Sequence, residues 1–113
     1  MNTVFPKLGE YDQLIDDGAG LEYKEQPLAQ DWARVGKVIE ELGETVGNLI
    51  GYTAQNHRKG EYSSQDEMLI EMCDVLITAL LGIQHFTKDE VITMHYILAR
   101  WHYRLQKAGL MDG

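Results

Sequence analysis

Two pairs of carboxylates are the residues in this sequence whose type and spacing best suit metal chemistry. Glu41 and Glu44 are three positions apart, and Glu71 and Asp74 repeat that spacing. Residues three apart on an α-helix are neighbours on one face, so two antiparallel helices could point all four carboxylates into one pocket. Oxygen ligands alone favour a hard cation over zinc. The two pairs therefore indicate a site for Mg²⁺ or Mn²⁺.

The second pair is notable for its apolar surroundings. Glu71 and Asp74 are the only formally charged residues in the segment 68–86, which is apolar on all sides of a helix. Two like charges at about 4 Å repel by about 4 kcal/mol at an effective dielectric near 20, and burying each ion costs more. A divalent cation would offset both costs. An ion pair with Arg or Lys from another helix is the alternative, and a solvated helix face is the alternative for Glu40–Glu44.

The spacing of apolar residues predicts the helices that must position these acids. Helical periodicity extends over residues 28–55 and 65–85, and a third helix follows Thr87 and ends near Lys107. No segment has the period-two alternation of a strand. The predicted fold is all-α, an antiparallel bundle of three main helices that is completed by oligomerisation.

Capping residues predict where these helices begin and end. Ser64 with Glu67, and Thr87 with Glu90, have the spacing of a capping box. Gly109 is placed to close the third helix. The predicted divisions of the chain are an N-terminal arm at 1–27 with a short helix near 10–16, a helical domain at 28–108, and a C-terminal tail at 109–113.

The first long helix is expected to carry two different faces. The apolar face comprises Val35, Ile39, Leu42, Val46, Leu49 and Ile50. The polar face comprises Lys37, Glu40, Glu41, Glu44 and Asn48. Between them lie Gly36, Gly43, Gly47 and Gly51. Each helical glycine costs about 0.5–1 kcal/mol relative to alanine, so we expect another helix or a ligand to approach this strip closely, with chance placement as the alternative.

The two acid motifs carry a family resemblance. The segment EELGE at Glu40–Glu44, followed by EMCD at Glu71–Asp74, resembles the EExxE…ExxD signature of MazG-type nucleoside triphosphate pyrophosphohydrolases, and the resemblance covers residues 32–105. It implies a homodimer or homotetramer in which Glu40 orients or deprotonates a water that attacks the α-phosphate and expels pyrophosphate. It also implies four ligands to magnesium, namely Glu41, Glu44, Glu71 and Asp74.

Several polar residues are candidates for contact with a nucleoside triphosphate. Phosphate contacts are expected among Lys37, Arg58, Lys59, Arg100 and Arg104, with Asn48 as a candidate for the base or ribose. For each basic residue, surface charge or an ion pair is the alternative. Members of the resembled family often carry a lysine where His95 falls here, so phosphate binding by this chain is expected to differ from theirs.

Composition excludes some other classes of function. A net charge of −8 argues against a nucleic-acid polymer as partner. The single cysteine, Cys73, cannot form an internal disulfide, and no signal peptide is recognisable, so a cytoplasmic location is expected. Glu71 and Asp74 argue against a membrane span at 68–86. A catalytically inactive acidic interaction module is the alternative function. A di-iron carboxylate site ranks last because neither Glu41 nor Glu71 begins a Glu-x-x-His motif.

Overall fold

Four helices form the described part of the chain. A computed structural model describes residues 4–18, 27–52 and 65–112, and no strand occurs in these ranges. Helix α1 spans Leu8–Gly18, α2 spans Pro27–Tyr52, α3 spans Gln65–Thr87 and α4 spans Glu90–Lys107. The predicted all-α class is therefore confirmed. The short helix expected in the N-terminal arm is α1, while Ser64, the expected cap of α3, lies outside the described residues.

Helix α3 is the centre of the arrangement. It packs most extensively on α2 and also contacts α1 and α4. The buried apolar side chains of the described residues are Leu8, Leu80 and Leu81, with Phe5, Met94 and Ile97 packed against them. Three buried apolar side chains make a small core for the described part of the chain.

The polar side of α2, rather than its apolar side, faces the rest of the chain. Arg34 is buried, and Val38, Glu41 and Thr45 are partly buried. The predicted apolar face does form, but its members from Val35 to Leu49 are 45–68% exposed. Periodicity separates the two faces correctly, and the acidic face meets α3 as the predicted pocket of carboxylates requires.

Three glycines of the α2 strip have no close neighbour within the described chain. A Cβ atom added at Gly36, Gly43 or Gly47 would meet no heavy atom within 4 Å outside the local helix backbone. The expected close approach of another helix therefore does not occur at these three positions within the described chain.

The junction between α3 and α4 differs from the predicted capping box. Helix α3 continues through Thr87, Lys88 adopts a left-handed conformation with φ of 56°, and Asp89 becomes the N-cap of α4. One Asp89 carboxylate oxygen accepts the backbone N–H groups of Val91 and Ile92, at 2.9 and 3.0 Å. The prediction of Thr87 as the cap was wrong because aspartate satisfies the first turn equally well.

The two residues of the predicted capping box make tertiary contacts instead. The Thr87 hydroxyl lies 2.6 Å from the hydroxyl of Thr93, which is fully buried. The Glu90 carboxylate accepts the backbone N–H of Gly9 at 3.0 Å. Both side chains therefore hold elements together, and Glu90 fixes the start of α1 against α4.

The end of α4 is the predicted glycine stop. Gly109 has a φ of +76°. Its N–H donates to the carbonyl of Gln106 at 3.1 Å, and the N–H of Leu110 donates to the carbonyl of Leu105 at 2.9 Å. This pair of bonds is a Schellman motif, so the prediction for Gly109 is confirmed.

Among the described helices, α3 is long and apolar enough to cross a membrane, judged by length and composition. The core helix of a soluble protein passes the same test. Here α3 contacts the three other described helices and carries Glu71 and Asp74, whose charges are costly in lipid. Only 28% of its apolar window is buried within the described residues, however, and Leu69, Ile70 and Leu76 are 47–59% exposed.

Candidate metal centre

Three of the four predicted metal ligands come together between α2 and α3. Glu41, Glu44 and Glu71 each place a carboxylate oxygen within 4.8 Å of the other two. We call these residues the three-acid cluster. Glu41 and Glu44 are neighbours because they lie about one turn apart on α2, and the packing of α3 on α2 brings Glu71 to them.

Glu71 contributes the least solvated oxygen of the cluster. Its Oε2 atom is buried and has no hydrogen-bond partner among the described residues. A buried carboxylate oxygen without a donor is costly, and the cost rises when other carboxylates lie close by. Neither Arg nor Lys from another described helix pairs with this atom, so the ion-pair alternative is not realised at Glu71. An oxygen in this position is suited to a cation.

Asp74 occupies a neighbouring position. It lies about one turn after Glu71 on α3 and is partly buried, but it is not a member of the three-acid cluster. It lines a cavity beside the cluster together with Glu41. Asp74 and Glu41 therefore border the same space, and the fourth predicted ligand stands at the edge of the site.

The environment of Glu41 disfavours its ionised form. Burial raises the pKa of this carboxyl, and the hydrogen bond and negative charge of Glu44 raise it further. Lys37 acts in the opposite direction with its positive charge 3.5 Å away. The ionised form of Glu41 is therefore less favourable in the metal-free fold than that of a solvated carboxylate, and a cation beside it would oppose this effect.

Glu40, the predicted catalytic base, is on the exposed side of the site. Its side chain is 58% exposed, and it accepts a hydrogen bond from Lys37 Nζ at 3.3 Å. This contact raises the pKa of Lys37. Lys37 thus forms the pairing that the sequence offered as an alternative to phosphate binding. Solvent screens an exposed pair of this kind, and it therefore contributes little to stability. Both side chains can exchange partners at little cost.

A cavity of about 720 Å³ opens beside the acids, between α1, α2 and α3. Its polar rim includes Arg34, Lys37, Glu41 and Asp74. Its apolar wall is formed by Tyr11, Ile15, Ile77 and Leu81. Small-molecule and cofactor pockets usually measure about 300–1,000 Å³ and combine apolar walls with a few polar groups. The space is therefore large enough for a nucleotide.

Helix α1 is held against this cavity by a second charged cluster, which the sequence analysis did not identify. Arg34 Nη2 donates to Asp16 Oδ1 at 2.9 Å and to the backbone carbonyl of Asp12 at 3.0 Å. Lys88 Nζ donates to Asp12 Oδ2 at 2.9 Å and to Asp16 Oδ2 at 2.7 Å. Two cations thus balance two carboxylates, and they join α1 to α2 and to the α3–α4 junction. We call these residues the α1 anchor.

His85 extends the α1 anchor toward the start of α2. Its Nε2 atom lies 2.7 Å from Asp31 Oδ1, and its Nδ1 atom lies 3.7 Å from Asp16 Oδ1. His85, Asp12 and Asp16 each place a potential ligand atom within 4.8 Å of the other two, a spacing that would suit a metal ion. The two aspartates are already neutralised by Arg34 and Lys88, however, so this cluster is a structural ion-pair network.

The charges of the α1 anchor strengthen one another. Burial alone would raise the pKa of Asp16, but hydrogen bonds from Lys88 and Arg34 outweigh burial and lower it. Burial alone would lower the pKa of Lys88, but the hydrogen bonds to Asp16 and Asp12 raise it. The pairs join residues that are far apart in sequence, so no local pattern could have revealed them.

The other predicted substrate-binding residues fall into three groups. Asn48 is partly buried on the side of α2 that faces α3. Arg58 and Lys59 lie outside the described residues. Arg100 and Arg104 are exposed on α4, where Arg100 stacks over the ring of Tyr103 at 4.6 Å, and neither lines the cavity. His95 is also exposed on α4.

The chain matches no protein-family model, and comparison with curated proteins and with solved structures gives no match either. The resemblance to MazG-type enzymes therefore rests on the two acid motifs themselves.

Proposed function

We propose that this protein is a metal-dependent nucleoside triphosphate pyrophosphohydrolase, which converts a nucleoside triphosphate and water to a monophosphate and pyrophosphate. The observation that supports the proposal most strongly is the three-acid cluster, in which Glu71 contributes a buried oxygen with no hydrogen-bond partner. The adjoining cavity provides space for a nucleotide. The choice of the α-phosphate as the point of attack comes from the family resemblance.

The residues that would hold the cation are Glu41, Glu44 and Glu71, with Asp74 at the edge of the site. Their donor set consists only of carboxylate oxygens, which suits Mg²⁺ or Mn²⁺. Such a cation supplies charge neutralisation of the triphosphate and lowers the pKa of a bound water. Because a carboxylate binds a metal only in its ionised form, the raised pKa of Glu41 should make cation binding weaker at lower pH.

The remaining polar groups have separate roles in the proposed reaction. Glu40 would accept the proton of the attacking water through its exposed carboxylate. Lys37 would move from Glu40 to a phosphate oxygen, which is feasible because both side chains are at least half exposed. The apolar wall from α1 and α3 would hold the nucleoside. Arg34 stays in the α1 anchor and keeps α1 in place as part of that wall.

The test is a panel of canonical and modified nucleoside triphosphates with Mg²⁺ or Mn²⁺, in which pyrophosphate and orthophosphate are measured separately. Release of pyrophosphate with the monophosphate is the expected result. Glu41→Gln should abolish turnover while the helical circular dichroism signal is retained, and Glu10→Gln, an exposed residue on α1, is the matched control. If no triphosphate is turned over and Mg²⁺ leaves the melting temperature unchanged, the inactive interaction module is the better account.

A further inference from the structure

Within the described residues, one end of the Arg34 guanidinium makes all of its hydrogen bonds. Nη2 donates to the Asp16 carboxylate and to the backbone carbonyl of Asp12, and it lies 2.7 Å from Asp12 Oδ1. Nη1 is buried and has no hydrogen-bond partner among the described residues. A buried donor without a partner is costly, and the cost is greater for a charged group. Arg34 therefore keeps donor capacity that the α1 anchor does not use.

Arg34 is also part of the wall of the cavity beside the acids. Its side chain is only 8% exposed, so the guanidinium is fixed in the wall and does not extend freely into solvent. Nη1 is itself shielded from water, and a ligand atom can reach it only where a lining side chain moves. Tyr11 and Lys37 line the same cavity and are at least half exposed, so either can shift at little cost. The unpaired N–H groups are thus accessible to a ligand that enters the cavity.

The position of Arg34 along α2 places it away from the acids, toward the other end of the cavity. The residues of α2 that line the cavity are three or four apart and share one face of the helix, in the order Gln30, Arg34, Lys37 and Glu41. Arg34 is seven residues from Glu41, a rise of about 10 Å along the helix axis. This rise is comparable to the span of a nucleotide from its α-phosphate to the far edge of its base. With the phosphates held at the acids, the base would therefore reach Arg34.

The charges around Arg34 favour a neutral acceptor over an anion. In the α1 anchor, the charges of Arg34 and Lys88 are already balanced by those of Asp12 and Asp16. The net charge of −8 on the whole chain further disfavours an anion at this position. A carbonyl oxygen accepts a hydrogen bond from a guanidinium without bringing a charge of its own. In a nucleotide, only the base carries a carbonyl oxygen.

We propose that Arg34 contacts the base of the bound nucleotide, with Nη1 donating a hydrogen bond to an exocyclic carbonyl oxygen. The substrates are then nucleotides of uracil, thymine, cytosine, guanine or hypoxanthine. Adenine is excluded, because it has no carbonyl oxygen and its amino group would meet the guanidinium donor to donor. Arg34 keeps its place in the α1 anchor through Nη2. The inference rests on the proposed function for the position of the phosphates, and it adds the class of base.

The test compares inosine and adenosine nucleotides, whose bases carry an oxygen and an amino group, respectively, at the same ring position. Their non-cleavable α,β-methylene triphosphates are titrated into the full-length protein with Mg²⁺, and binding is measured by isothermal titration calorimetry. The wild type should bind the inosine analogue about 10- to 100-fold more tightly, as expected for one hydrogen bond to a charged group. Equal affinities, tighter binding of the adenosine analogue, or no binding of either analogue would overturn the proposal.

Two variants separate contact with the base from support of the cavity wall. Arg34→Lys keeps a positive charge for the α1 anchor, but its single nitrogen cannot occupy both ends of the guanidinium, so the preference for inosine should be lost. The matched control is Lys88→Met, which removes the other cation of the anchor and leaves Nη1 in place. It should weaken both analogues equally and keep the preference. The proposal is overturned if Arg34→Lys retains the preference or if Lys88→Met loses it; if Arg34→Lys loses its helical circular dichroism signal, the wild-type comparison decides alone.

Binding and turnover are measured separately, so the two proposals can fail separately. A preference for the inosine analogue in a protein that releases no pyrophosphate from any triphosphate would support base recognition by Arg34 and contradict the proposed hydrolysis. Release of pyrophosphate from adenosine triphosphate as fast as from inosine triphosphate would support the hydrolysis and overturn base recognition by Arg34.

Discussion

Replacement of Glu71 by glutamine should stabilise the metal-free protein and abolish its stabilisation by magnesium. Glu71 places a carboxylate oxygen within 4.8 Å of oxygens from Glu41 and Glu44. At that separation, two like charges repel by about 1 kcal/mol in water and about 3.5 kcal/mol at an effective dielectric near 20. Glu71 Oε2 has no hydrogen-bond partner, so the substitution sacrifices no bond at that atom. We expect the metal-free variant to gain about 2 kcal/mol in free energy of unfolding.

The assay is thermal unfolding followed by circular dichroism at pH 7.5, in EDTA and in excess MgCl₂. For a domain of this size, a gain of about 2 kcal/mol raises the melting temperature by roughly 8 °C. Magnesium at about 100 times its dissociation constant should stabilise the wild type by about 2.7 kcal/mol, and it should have little effect on Glu71→Gln. The variant should therefore melt above the wild type in EDTA and lose its advantage in MgCl₂.

The matched control is Glu10→Gln, which removes one negative charge from an exposed position on α1. This substitution should change the melting temperature in EDTA by no more than a degree or two. It should leave the response to magnesium unchanged. The reasoning is refuted if Glu71→Gln melts below the wild type in EDTA, since Glu71 would then be stabilising the fold rather than repelling its neighbours. It is also refuted if magnesium stabilises the variant and the wild type equally.

Three further predictions concern pH, the α1 anchor and the end of α4. Burial and Glu44 raise the pKa of Glu41 above its ordinary 4.5, so the ionised form of Glu41 destabilises the metal-free fold. This destabilisation is fully present above the raised pKa and is relieved as the pH falls through it. The rise in melting temperature caused by Mg²⁺ should therefore shrink between pH 8 and pH 5. Arg34→Met should lower the free energy of unfolding in urea by about 3 kcal/mol, because it leaves the buried carboxylate of Asp12 with Lys88 alone; an unchanged urea midpoint would contradict the account of the anchor. Gly109→Ala should cost about 1 kcal/mol because its φ is +76°, whereas Gly47→Ala, at an open helical position, should be neutral or stabilising in the same thermal melts.

The sequence predicted most of the fold because most of it depends on local patterns. Helical periodicity gave α2, α3 and α4 to within a few residues, and the glycine at 109 gave the end of α4. The start of α4 was misplaced because Thr87 and Asp89 are both good caps and the sequence alone cannot decide between them. Periodicity alone separates the faces of α2 without assigning partners to them, and it was the metal-site hypothesis that placed the acidic face against α3.

The candidate site was predictable to the extent that it follows from helix spacing. Glu41, Glu44 and Glu71 do meet, and Asp74 lies beside them at the cavity. The α1 anchor was missed because Lys88 and Asp16 are separated by 72 residues, and only the packing of α1 on α3 brings them together. The one feature of the sequence that hinted at the α1 anchor was the pair of acids Asp12 and Asp16 on α1. These residues are four apart, as acids on an ordinary solvated helix face often are, so the pair did not stand out.

The claim on which the proposed function rests is that the three-acid cluster holds a divalent cation. Anomalous diffraction from crystals of the full-length protein grown with Mn²⁺ tests it most directly. We predict an anomalous peak within ligand distance of Glu41, Glu44 and Glu71, absent from crystals of Glu71→Gln grown in the same way. A map with no peak between these carboxylates, or with its peak at Asp12 and Asp16 instead, would contradict the claim.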